Sequence, residues 1–204
     1  MPETDRSNDV PHDPCWRLIE AVTRGDLQRA DARIRAYLEP QSSEQLIALV
    51  WELIDRLPEV RVECLDRIAQ DANDTEWLVS QTRCELEALR LEAASRSASA
   101  RGEAVGDFGG VKARLERLVQ MQASDQVLTL APEILTAGFA WIEATTDDYA
   151  TYEEIRACMH TVLKAADASL APADRTQFLA KLCAMDSYGV LDDELLANLR
   201  EKDL

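Results

Sequence analysis

Residues 125–144 read DQVLTLAPEILTAGFAWIEA. Val127, Ala131, Ile134, Gly138 and Ile142 recur at helical spacing, and Leu128, Leu135 and Phe139 flank that row. Apolar residues recurring at this spacing over five turns belong to an α-helix. Pro132 falls inside the row and predicts a kink or local break there. A strand would need alternation with period two, and no run in the chain sustains it.

The same spacing extends in both directions. Upstream, VKARLERLVQM is apolar at Val111, Leu115, Leu118 and Val119, and Ser124 is placed to cap the helix that follows. Downstream, Thr151 and Glu154 form a capping-box pair before Ile155, Met159, Val162 and Ala166. Pro172 suits the first turn of a helix presenting Phe178, Leu182 and Met185. Tyr188-Gly189 stops that helix, and Asp192 and Asp193 begin a short last one with Leu195, Leu196 and Leu199.

In the first half, Cys15 to Thr23 places Trp16, Ile19 and Val22 together. Gly25 breaks that segment, and Asp26 precedes another with Leu27, Ile34 and Leu38. Ser42 and Gln45 make a capping box before EQLIALVWELIDRL, which carries two apolar stripes: Leu46, Val50, Leu53 and Leu57, then Ile47, Trp51 and Ile54. Two stripes predict a helix covered from two sides. Pro58 ends or kinks it, and Glu59 to Asp71 follows with Val60, Cys64, Leu65 and Ile68. Asn73-Asp74-Thr75 starts a helix running at least to Ala94, with Leu78, Leu86, Leu89 and Ala93 inward.

The fold class predicted is all-α: an irregular array of about nine antiparallel helices, stacked as hairpins in a repeat-like manner but without a fixed period. Residues 1–14 read as a disordered, solvated tail and 15–94 as an N-terminal helical half. Residues 95–110, which hold four of the seven glycines, read as a loop or linker, and 111–204 as a C-terminal helical half.

Composition narrows the function classes. The chain has 204 residues, 47% of them hydrophobic, and its net charge of -16 opposes direct binding to nucleic acid or anionic membrane and favours a basic protein partner. No stretch approaches the length of a membrane span, and the first residues lack the basic start and apolar stretch of an export signal. Five widely spaced cysteines without a CxxC predict reduced thiols and a cytoplasmic setting.

Candidates for chemistry are few. The two histidines are His12 and His160. Cys158 and His160, two residues apart on a helix, point about 200° away from each other, a poor geometry for a shared metal or a catalytic couple. The acidic loop TTDDYATYEE gathers Asp147, Asp148, Tyr149, Tyr152 and Glu153 as candidate protein-contact residues. Its acids also suit a helix start or a hard cation, although EF-hand spacing is absent. No catalytic residue, metal ligand or cofactor is expected.

The run VKARLERLVQMQASDQVLTLAPEILTAG, then TTDDYATYEEIRACMHTVLKAADASLAPADR and AMDSYG, resembles the helical region downstream of the zinc finger in bacterial SWIM zinc-finger proteins. The matching residues are Val111, Leu115, Leu118, Asp147, Asp148, Cys158, Pro172, Ala173, Asp174, Arg175, Asp186, Tyr188 and Gly189, within residues 109–190. The finger itself needs a CxC that this chain lacks, so its binding properties do not carry over. The resemblance implies a bacterial, all-helical, repeat-like scaffold without catalytic residues.

The function expected is therefore a non-enzymatic scaffold or protein-interaction module, with a homodimer as one arrangement. The alternative is a carboxylate- or metal-dependent enzyme with a cleft between the two halves.

Overall fold

The computed structural model describes residues 28–97, 106–145, 148–191 and 196–197. Among the described residues the chain is all-α, with eight helices, no strand and antiparallel packing. They are α1 over residues 28–38, α2 Ser43–Arg56, α3 Pro58–Asp71, α4 Thr75–Ser97, α5 Gly109–Gln120, α6 Ser124–Ala144, α7 Asp148–Ser169 and α8 Pro172–Met185. Helical backbone resumes at 196–197, within the segment expected as the last helix. The tail 1–14 and the segment Cys15–Thr23 lie outside the described residues.

The contacts group into two units, Met1–Arg61 and Val62–Leu204. The division falls within α3, whereas the Gly-rich stretch 95–110 belongs to the second unit.

In the second unit α6 is the central helix, packed against α4, α5, α7 and α8. Its expected row is buried: Val127, Ala131, Ile134, Gly138 and Ile142 all face inward. By length and composition α6 could cross a membrane, but 56% of its apolar stretch is buried inside the protein. Pro132 does not break it. The helix is continuous from Ser124 to Ala144 with Pro132 on the exposed side, where a missing N–H leaves its helical acceptor open to water. Ser124 is the first helical residue rather than the cap; Ala123 holds that position without a side-chain bond.

Close approach at Gly138 sets the contact between α6 and α7. A Cβ there would lie 2.5 Å from Ile155 Cδ1. On α7 the buried row runs Thr151, Ile155, Met159, Val162 and Ala166. Thr151 continues that row one turn before Ile155, so the core takes its side chain and the helix begins three residues earlier, at Asp148. The expected Thr151–Glu154 capping box is therefore absent.

Two glycines expected in the linker are helical instead. Gly109 and Gly110 form the first turn of α5, and a Cβ on Gly110 would lie 2.5 Å from Glu85 Oε1 on α4. Here glycine serves close approach rather than loop freedom. Gly106 and Phe108 are likewise buried beside Trp141.

What α5 brings into that space is charge. Arg114 is buried, its Nε donating to Asp66 Oδ2 at 2.7 Å and its Nη1 donating to Glu85 Oε2. Trp77 Nε1 donates to the other Asp66 oxygen at 3.3 Å. One turn along, Arg117 Nη2 donates to both Glu63 oxygens, at 2.6 and 2.7 Å, and Arg67 reaches the same carboxylate at 2.7 Å. The hydrogen bond from Arg67, then that from Arg117, holds the Glu63 carboxyl below its ordinary pKa.

This network reverses the expected face of α3. The residues of α3 that are buried are Asp66 and Ala69, while Leu65 is exposed and Ile68 is 62% exposed. A helix rotated to bury Ile68 would take Asp66 from Arg114 and both Glu63 and Asp66 from Arg117, leaving buried guanidinium charge under-neutralised at a cost of several kcal/mol.

Two outcomes test this packing. Gly138→Ala removes a helix penalty of about 1 kcal/mol but overpacks Ile155 by about 1–3 kcal/mol. The melting temperature is therefore expected to fall by a few degrees and to recover in part with Ile155→Val; an unchanged or raised value would contradict the contact. Arg114→Leu leaves Asp66 and Glu85 without their buried cation and is expected to cost about 3–5 kcal/mol in denaturant unfolding. Adding Asp66→Leu and Glu85→Gln should restore most of that stability, and failure to do so would show that the cluster is not the cause.

Candidate functional site

Two surfaces carry the candidate contact residues, the acidic tyrosine loop and the apolar face of α2. Asp147 lies outside the described residues, and Asp148 opens α7. Tyr149 is 75% exposed. Tyr152, by contrast, is half-buried against the core, and its hydroxyl donates to the Gly189 carbonyl. That bond closes the turn after α8, where Asp186 also accepts the N–H groups of Val190 and Leu191 at 2.9 Å each. Glu153 is exposed and lies 3.9 Å from Arg156. The loop thus brings Tyr149 and Glu153 to the surface and commits Tyr152 to structure.

Cys158 and His160 are separated as the helical angle requires. Cys158 is fully buried, its Sγ 3.8 Å from the Phe108 carbonyl, and burial pushes its thiol pKa up to about 12. His160 is half-buried and faces the groove between α5 and α7. Among the described residues no group of three His, Cys, Asp or Glu side chains could hold a metal ion.

The second surface is the apolar face of α2, within the unit Met1–Arg61. The capping box forms as the spacing requires: Ser42 Oγ accepts the Gln45 N–H at 3.3 Å, and Gln45 Oε1 accepts the Ser42 N–H at 2.8 Å. Leu57 ends the helix before Pro58. Yet α2 has no buried residue. Ile47 is 57% and Trp51 61% exposed, with Val50, Leu53 and Leu57 exposed beside them and Leu46, Leu49 and Ile54 half-buried. The expectation that α2 is covered from two sides is overturned. On α1, Ile34 and Tyr37 are exposed as well.

The physical reason is size. Over residues 28–61 no side chain is fully buried, and a helical pair of this length has too little apolar surface to enclose a core of its own. Charged residues border the face. Glu52 pairs with Arg56 at 3.0 Å and Asp55 with Arg61 at 3.3 Å, while Glu44 adds a further carboxylate in the first turn. From spacing alone the apolar residues of α2 predict a helix covered from two sides. Their width around a 14-residue helix is the signal that they could serve a contact instead, because an ordinary surface helix needs an apolar stripe of only about 100°.

No protein-family model, curated protein or solved structure matches the chain.

The thiols provide a direct check on this geometry. Cys84 is exposed and Cys158 buried, so an aromatic disulfide reagent at neutral pH is expected to label Cys84 rapidly. Cys158 should react only after unfolding, since the thiolate is the reactive species. Rapid native labelling of Cys158, located by peptide mapping, would refute its placement.

Proposed function

We propose that this chain is a non-enzymatic helical scaffold whose α2 face docks a protein partner, an amphipathic helix flanked by basic residues. The observation that carries the reading is the exposed set Ile47, Val50, Trp51, Leu53 and Leu57 on a helix without a single buried residue. Contiguous apolar surface rimmed by charge is what a helix-in-groove contact uses, with large aromatic residues as anchors. Glu44 in the first turn of α2 and the net charge of -16 favour a cationic partner. Stacked helical hairpins in a repeat-like array, a cytoplasmic setting and kinship with the helical region of SWIM zinc-finger proteins belong to the same reading. They are supported by the antiparallel helices, by the free cysteines among the described residues, and by the residue pattern over 109–190. Tyr149 and Glu153 offer a second, polar contact.

The test uses a fluorescent amphipathic Leu/Lys helical peptide and a scrambled peptide of equal charge. Anisotropy is expected to show saturable binding of the first alone. Ile47→Ser with Trp51→Ser should weaken it at least tenfold while circular dichroism stays unchanged, because neither residue is buried. Equal binding of both peptides, or no loss in the variant, would reject the α2 site. A concentration-dependent dimer abolished by the same pair of changes would assign the face to a second copy.

A further inference from the structure

We propose that the groove between α5 and α7 binds a compact oxyanion with two linked phosphate centres, of the diphosphate class. The groove has a volume of about 600 Å³ and is lined by Lys112 from α5 and by Arg156, His160, Thr161 and Lys164 from α7. The α7 residues recur at i, i+4, i+5 and i+8, which places them along one face of the helix. Two of the chain's four lysines line this groove, in a molecule of net charge -16.

The lysines here are held differently from the arginines elsewhere. Arg67, Arg83, Arg90, Arg114 and Arg117 contact carboxylates at 2.6 to 3.0 Å. In the groove, Lys112 lies 3.9 Å from Glu116. Such an exposed pair at the edge of contact gains little. Lys164 and His160 have no ion pair among the described residues. The ammonium groups of Lys112 and Lys164 therefore keep most of their donor capacity for charge-assisted hydrogen bonds to an anion.

Ligand size and charge follow from the surroundings. The volume is that of an ordinary small-molecule site. Val119 and Ala157 supply an apolar wall, which suits an ester carrying an organic group. A long polyanion would meet the field of the whole acidic molecule, whereas a compact one meets mainly the local cations. Glu116 and Glu153 also line the groove, and two lysines offset their repulsion best for a ligand that presents an anionic centre to each.

Inorganic pyrophosphate and ADP are the probes, with sulfate as the single-centre comparison, titrated calorimetrically at low ionic strength. Saturable one-site binding of pyrophosphate and ADP is expected, with sulfate at least tenfold weaker. Lys112→Gln with Lys164→Gln should weaken pyrophosphate at least tenfold. Lys181→Gln, on the exposed side of α8, should leave binding within twofold. Because the chain has two histidines, the His160 ring protons can be assigned by His160→Gln, and pyrophosphate should shift them in the unmodified protein. No saturable binding, sulfate as tight as pyrophosphate, equal loss in Lys181→Gln, or an unmoved His160 signal would each overturn the proposal. None of these results bears on the α2 face, which is tested with a cationic peptide.

Discussion

The fold of the second unit turns on the need to neutralise Arg114. A guanidinium removed from water costs several kcal/mol unless carboxylates meet it with good geometry. Asp66 and Glu85 do so from two different helices. Satisfying this group determines which face α3 presents, how near α4 comes to the start of α5, and why Gly110 must lack a side chain. Apolar burial around α6 supplies most of the driving force for collapse. It is less selective about rotation, since a helix can bury one greasy stripe or its neighbour at similar gain. The buried charges remove that freedom, because a misrotated α3 leaves Arg114 with Glu85 but without Asp66.

The two units solve the problem of apolar surface differently. In Val62–Leu204, α6 is wide and greasy, and four helices pack against it. In Met1–Arg61, α2 is equally well patterned and correctly capped, but its described neighbours are too small to enclose it. Helix formation and helix burial are separate events. The capping box, the apolar periodicity and Pro58 secure the first, and none of them supplies a covering surface. This separation makes the α2 face a reasonable place for a partner, in contrast to the equally apolar α6.

Charge on the surface is also unevenly used. Most described arginines sit in short-range pairs with nearby carboxylates, which stitches exposed helix faces together and leaves little local field. The groove between α5 and α7 departs from that pattern in its lysines, with Lys112 3.9 Å from Glu116 and Lys164 without an ion pair among the described residues. A lysine carries its charge on a flexible stem without the planar fork that matches a carboxylate, so it is more easily recruited by an incoming anion.

Much of the helical framework was legible from residue spacing: the inward row of α6, the box at Ser42 and Gln45, Pro172 at the start of α8. These are local features, determined by 3.6-residue periodicity and by which side chains can cap or break a turn. Where the sequence reading missed, the deciding partner lay far along the chain. Ile68 and Asp66 are two residues apart on α3, and the arginines of α5, some 50 positions later, decide which of them is buried. Thr151 reads as a cap until the packing of α7 on α6 draws it into the core. Tyr149 and Tyr152 are chemically alike, and only the turn at Gly189 gives one of them a structural bond. Whether the broad face of α2 is covered depends on the area its neighbours can offer, and the cationic groove exists because two helices distant in sequence lie side by side. Residue order sets the character of each helix; the contacts between helices, which balance desolvation against pairing, decide what every face is for.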